Sequence, residues 1–151
     1  MVDLKVDPEY WIESHFERDQ KDFSAYLKSG SCLAASKYIS PTRGLSQMKI
    51  DEMGTVTKEF DWTISQGEAF ALEKQDSSKL CKAFALGKEI AAKGSRSVNP
   101  LGKTERSVSW VVYEGAHAGN HRDFQVTFIY EGTEKKKWLI SKIAFPFDFT
   151  P

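Results

Sequence analysis

Apolar residues change their spacing along this chain, and that change limits the fold more than any other feature. In residues 8–28 and 78–93 they recur every three to four positions, which is the period of a helix with one buried face. In residues 55–64, 107–114 and 123–131 they alternate with polar residues, which is the period of a strand with one wet face. A chain with early helices and a closing run of strands is predicted to fold as α+β.

Each predicted helix has an apolar stripe. In residues 8–28 the stripe carries Asp19 at its edge, an unusual place for a carboxylate. Gly30 is predicted to end this helix, and a short second helix is predicted over 31–39. Gly87 lies inside the stripe of helix 78–93, which predicts a close approach of helix and sheet there. The apolar stripes are formed by Ile12, Phe16, Phe23 and Leu27, and by Leu80, Ala83, Phe84, Gly87, Ile90 and Ala91.

The strands are predicted at 55–64, with a return strand through Phe70 and Leu72, and then at 107–114, 123–131 and 137–145. Residues 46–51 are a candidate for a further short strand, and residues 94–106 are predicted to be a polar loop. The residues WLISKIAF at 138–145 are mainly apolar on both faces, with Lys142 as the charged exception, which predicts a central strand.

The predicted order is α-α-β-β-α-β-β-β, with two N-terminal helices and one central helix packed on a curved antiparallel sheet. The length of 151 residues is that of a single domain, 1–151, with one core.

Two segments of the chain resemble the NTF2-like (cystatin-like) superfamily. Residues 22–41, DFSAYLKSGSCLAASKYISP, resemble its first helix, break and short second helix. Residues 136–145, KKWLISKIAF, resemble its last strand. The resemblance implies a sheet wrapped around a central pocket. It also implies either a binding protein or an enzyme with an Asp, His or Tyr inside the cone.

Charge and hydropathy exclude several classes of partner. The 21 basic and 21 acidic residues give a net charge of +0, which argues against nucleic-acid binding. No apolar run reaches the roughly 20 residues of a membrane span. The N-terminus as written has no signal peptide, so a cytoplasmic location is expected, or a periplasmic or secreted one if a signal was removed. Cys32 and Cys81 are expected to be buried free thiols, and one disulfide closing a long loop is the alternative.

The motifs of common enzyme classes do not occur in the sequence. There is no nucleophile elbow, P-loop, dinucleotide fingerprint or zinc-protease motif, and no cofactor is expected. The best enzymatic pair is His15 and Asp19, at i and i+4 on the first helix, as a base and the group that orients it. His117, His121 and Asp123 occupy a Gly-rich loop where their spacing has no metal-binding meaning, so no metal is expected.

Three sets of residues are candidates for binding. Trp11 lies off the first helical stripe. Phe147 and Phe149 follow Phe145 in an aromatic tail, which must pack back or meet a partner. Lys79, Lys82 and Lys93 are expected on the polar face of the third helix, either as a solvated face or as a docking patch for an acidic partner or phosphate.

These observations predict a non-catalytic binding protein. Its partner is expected to be a protein or an apolar small ligand, and a homodimer through the sheet face is an alternative. Toxin-immunity and secretion-accessory proteins share this size and lack of motifs, although that analogy is only associational. The runner-up is a small-molecule isomerase, dehydratase or hydrolase of the NTF2-like type, using His15 and Asp19.

Overall fold

A computed structural model of the chain describes residues 9–29, 35, 37–50, 56–64, 79–113, 121–131 and 137–146; the description leaves out the side chains of residues 9–11, 56–64, 79–80, 113 and 121–122. The helices in these ranges are α1 (Glu9–Ser29) and α2 (Lys79–Lys93). The strands are β1 (Leu45–Ile50), β2 (Val56–Ile64), β3 (Ser95–Pro100), β4 (Glu105–Tyr113), β5 (His121–Glu131) and β6 (Lys137–Pro146).

The helices pack on one face of the sheet through the predicted stripes. Phe16, Phe23 and Leu27 of α1 are buried, and Ile12 packs against the same core. From α2 the core receives Ala83, Phe84, Leu86, Ile90 and Ala91. The α+β class is confirmed, because amphipathic helices cover an antiparallel meander of β3 to β6.

Gly87 is where α2 approaches the sheet most closely. A Cβ atom built on Gly87 would lie 2.6 Å from the Phe124 ring of β5. The close approach predicted from its place in the stripe is therefore confirmed, since no larger residue fits without movement of that ring.

The six strands are ordered β2-β1-β6-β5-β4-β3. The predicted central position of β6 is confirmed, with β1 on one side and β5 on the other. The β1–β6 pair is parallel, which makes the sheet mixed, whereas an antiparallel sheet was predicted. The difference arises because β1 pairs with a strand far along the chain, a contact that no local pattern encodes.

Two predicted elements differ from the structure. Residues 95–100, within the predicted loop, form the edge strand β3, whose residues are all exposed. An exposed edge strand buries no apolar face, so its sequence shows no alternation. The predicted helix 31–39 ends earlier than expected: Ala35 is helical, but residues 37 and 38 form a turn and Ile39 makes a parallel β-bridge to Ile140, while residues 31–34 and 36 lie outside the described residues. The return strand through Phe70 and Leu72 lies outside the described residues.

The cysteine expectation is wrong for Cys81, which is disulfide-bonded. Cys81 lies in the first turns of α2 and is half-buried. Its apolar helical surroundings suggested a buried thiol, but they suit a disulfide equally well. Cys32, the only other cysteine of the chain, lies outside the described residues.

Candidate functional site

Asp19 holds the start of β6 against α1. Only 1% of the residue is exposed. Its Oδ2 accepts a hydrogen bond from the Trp138 backbone N–H at 2.9 Å, and its Oδ1 accepts one from Arg18 Nε at 3.0 Å. A buried carboxylate satisfied by a backbone amide and a cation is a structural anchor.

His15 lies one turn before Asp19 and has a different neighbour. Its Nδ1 is 3.3 Å from the hydroxyl oxygen of Tyr130 on β5. The two predicted catalytic residues thus contact the neighbouring strands β5 and β6, while both oxygens of Asp19 accept hydrogen bonds from Trp138 and Arg18. The pair is close in space, but each oxygen of Asp19 accepts a hydrogen bond from a residue other than His15.

The first of three polar regions on the helix side is a pocket between α1 and the β3–β4 connection. Its volume is about 250 Å³, and Ile12, Glu13, Gly102, Lys103 and Arg106 line it. The Arg106 side chain is 12% exposed, whereas the Glu13 side chain is 58% exposed. Arg106 Nη1 donates to Glu13 Oε2 at 2.8 Å, and Nη2 donates to Oε1. The pair is a bidentate fork, the geometry that distinguishes Arg from Lys.

Two aromatic rings lie against the Arg106 guanidinium and hold it in place. Its central carbon lies 4.9 Å from the Phe16 ring centroid and 5.2 Å from that of Trp138. The Trp138 indole is itself held, because its Nε1–H donates to the Ile12 carbonyl at 2.9 Å. The hydrogen bond from Arg106 lowers the pKa of Glu13 below its usual value. The fork is therefore preorganised for a carboxylate.

The second polar region is the loop before β1, tied to the end of β5. The Glu131 carboxylate accepts hydrogen bonds from the hydroxyls of Ser40 and Thr42. Nearby, burial raises the pKa of Tyr38 to about 12, and the Lys137 ammonium lies 4.1 Å from its ring centroid. These contacts hold the loop against the sheet, and the polar atoms that meet there are hydrogen-bonded to one another.

The third polar region is the amide of Gln47 on β1. Gln47 is 0% exposed and pairs in register with Ile143, a core residue of β6. Leu45, two residues earlier on the same face, also belongs to the core. Within the described part of the chain, neither the Nε2 nor the Oε1 atom of Gln47 has a hydrogen-bond partner. Such a group costs about 1–3 kcal/mol if nothing else satisfies it.

The sheet face opposite the helices carries many polar side chains, although several of its residues, among them Ser107, Thr127 and Ala144, are buried. Since Val108 and Val126 point into the core, their neighbours Ser107 and Thr127 point the other way. Residues paired across the strands point to the same side and form two rows on this face. One row is Asn99, Ser107, Thr127, Lys142 and Ser46, and the other is Ser97, Ser109, Gln125, Ala144 and Met48. Lys142 is exposed and lines a hollow of about 160 Å³ there. We call this surface the outer face.

Among the remaining predicted binding residues, the structure describes the side chains of Lys82 and Lys93. Lys82 and Lys93 are exposed on α2. The side chains of Trp11 and Lys79 are outside the description, and so are residues Phe147 and Phe149. Phe145 is 0% exposed, so the start of the aromatic tail packs into its own domain.

No group of three or more His, Cys, Asp or Glu residues suited to a metal ion occurs in the described ranges. His117 lies outside those ranges. Neither described helix is long and apolar enough to cross a membrane.

Sequence reasoning missed Glu13, Arg106 and Gln47. Glu13 and Arg106 are 93 positions apart, so no spacing rule connects them. A glutamine at an alternating position facing the core was a usable signal, because Leu45 and Gln47 share a face of β1, which overlaps the candidate strand 46–51.

The comparisons with known proteins concern the fold. An NTF2-like protein of unknown function from Shewanella oneidensis is 12% identical, with a TM-score of 0.45, over 89% of this chain and 98% of the other. A cystatin-like domain from Nostoc punctiforme is 14% identical, with a TM-score of 0.45, over 91% and 78%. An NTF2-like protein from Novosphingobium aromaticivorans is 13% identical, with a TM-score of 0.45, over 99% and 94%. Neither a family model nor a curated protein matches the chain.

The similarity to NTF2-like, cystatin-like structures is the one predicted from residues 22–41 and 136–145. At these identities it says nothing about function.

Proposed function

We propose that this chain is a non-catalytic binding protein that holds a small, mainly apolar ligand between its sheet and helices. The observation that supports this most is the buried, unpartnered amide of Gln47. Ligand sites are commonly apolar, with a few polar groups that fix orientation. A single amide beside the core residues Leu45 and Ile143 matches that description.

The amide also suggests the chemistry of the ligand. A carboxamide offers one acceptor oxygen and two donor hydrogens side by side. Its best complement is a group with a neighbouring donor and acceptor, such as a lactam. An apolar ring carrying a lactam therefore fits Gln47 better than a plain hydrocarbon, which would leave both amide atoms unsatisfied.

The enzyme alternative is weaker on this structure. A base–orienter pair requires the carboxylate to bind the histidine, and the oxygens of Asp19 are engaged by Trp138 and Arg18. The partner-binding alternative rests on the outer face. Its exposed polar residues, such as Lys142, suit a transient partner better than an obligate homodimer, whose interface is usually more hydrophobic.

The test uses 2-pyridone, a lactam, and N-methyl-2-pyridone, which lacks the donor. We expect saturable changes in the amide NMR spectrum with 2-pyridone only. The Gln47→Leu variant should lose these changes. It should also raise the free energy of unfolding by about 1–3 kcal/mol, because it removes an unpaired buried amide.

Gln125→Leu is the matched control, since Gln125 is a half-buried glutamine on the outer face. It should bind 2-pyridone like the wild type. A loss of stability in Gln47→Leu would contradict the proposal, because it would mean that the amide is satisfied by the protein itself. Saturable binding to Gln47→Leu would do the same.

A further inference from the structure

Glu13 and Arg106 are an unequal pair. Arg106 is mostly buried and lies over two aromatic rings, whereas Glu13 is more than half exposed. The arginine is thus held by its surroundings, while Glu13 is the partner whose carboxylate can exchange the fork for water.

The surroundings of the fork are those of a binding site. The pocket of about 250 Å³ opens beside it. Lys103, also in the pocket lining, adds a second cation, and Ile12 supplies an apolar wall. Arg106 Nε is buried and has no hydrogen-bond partner among the described residues, so the guanidinium retains an unused donor. The lining thus places two cationic side chains and one carboxylate around the same hollow.

We propose that this pocket binds a small organic carboxylate through the Arg106 fork, and that the Glu13 carboxylate occupies the fork until such a ligand displaces it. The ligand carboxylate makes the two hydrogen bonds that Glu13 makes in the free protein. Its short apolar tail packs on Ile12, and Lys103 contributes attraction from the pocket edge. Glu13 then rotates into solvent, where it is already mostly exposed.

This arrangement has a measurable consequence. An intramolecular competitor reduces apparent affinity by the fraction of protein in which the site is open. Removing the competitor restores the intrinsic affinity. If the fork is open about one-tenth of the time, removal strengthens binding about tenfold.

The experiment titrates butyrate into the purified full chain and follows binding by NMR or calorimetry. Glu13→Gln keeps the shape of the side chain and removes its charge, so it should bind butyrate about tenfold more tightly than the wild type. Glu17→Gln, an exposed site one turn along α1, is the matched control and should equal the wild type. Butyramide, the neutral analogue, should not bind.

Arg106→Lys keeps the charge but loses the fork, and should abolish butyrate binding while circular dichroism shows an intact fold. Lys103→Gln, on the exposed β3–β4 connection, should weaken butyrate binding several-fold. It replaces Arg106→Lys as the test if that variant does not fold. Equal affinity of wild type and Glu13→Gln would overturn the proposal. So would butyrate binding that survives Arg106→Lys, or inorganic phosphate binding more tightly than butyrate.

Discussion

Buried polar side chains in this protein differ in whether the fold satisfies them. Asp19 accepts hydrogen bonds from Trp138 and Arg18, whereas Gln47 has neither a donor nor an acceptor beside it in the described part of the chain. The two residues should therefore respond oppositely to truncation. A satisfied group stabilises the fold, and an unsatisfied one is retained at a cost in stability.

Replacing Asp19 tests its structural role. Asp19→Ala should lower the free energy of unfolding by about 1–3 kcal/mol, because the Trp138 N–H is left buried without an acceptor. Asp19→Asn keeps an oxygen for that N–H and loses only the ion pair with exposed Arg18, so it should cost less than about 1 kcal/mol. Urea denaturation measures both values. Asp22→Ala, exposed on the same helix, is the control, and an equal loss there would contradict the role assigned to Asp19.

At this scale the sequence indicates which residues are unusual but not what they contact. The stripe edge marks Asp19 because a carboxylate rarely lies beside a core face. Its partners, Trp138 and Arg18, follow only from the packing of α1 on β6. Arg106 has no local signal, since its aromatic neighbours come from two distant elements.

Helices and strands could be predicted from the sequence wherever one of their faces is buried, because burial gives their apolar residues a regular spacing. Helix α2 ends with Lys93, and Gly94 N–H donates to the Ile90 carbonyl at 2.7 Å, which closes the last helical turn at the glycine predicted to follow the helix. Strand β3 was not predicted from the sequence, because it pairs with β4 through its backbone and buries no side chain.

The contact of α2 with β5 gives an element-scale prediction. Gly87→Ala should destabilise the protein by up to about 2 kcal/mol. Overpacking against Phe124 costs about 1–3 kcal/mol, while the gain in helix propensity returns about 1 kcal/mol. Thermal unfolding measures the difference. Gly102→Ala, where a Cβ atom meets nothing within 4 Å, should leave stability unchanged. A Gly87→Ala protein more stable than the wild type would show that Phe124 moves aside freely.

For the whole molecule, the disulfide of Cys81 gives the most direct prediction. Cys32 is the only other cysteine in the sequence, so we predict it as the partner. A loop of that length should stabilise the fold by about 4 kcal/mol in the chain-entropy model. Reduction should therefore lower the melting temperature markedly, and the Cys32→Ser/Cys81→Ser variant should be insensitive to reductant.

Thiol counting in denaturant distinguishes the alternatives. No thiols before reduction and two afterwards would indicate an oxidising compartment. Two reactive thiols before reduction would mean that the bond does not form in the purified protein.

The position of β6 between β1 and β5 affects how this chain folds during its synthesis. Synthesis runs from the N-terminus, so β1 and β2 are produced first and β6 last of the six strands. Until β6 emerges, β1 and the β3–β5 meander have no common neighbour in the sheet. Contacts this distant in sequence slow folding, because the intervening chain must be ordered first. The two halves of the sheet must therefore wait, with unpaired edges, for the final strand to join them, and this interval is when the nascent chain is most open to mispairing with another copy.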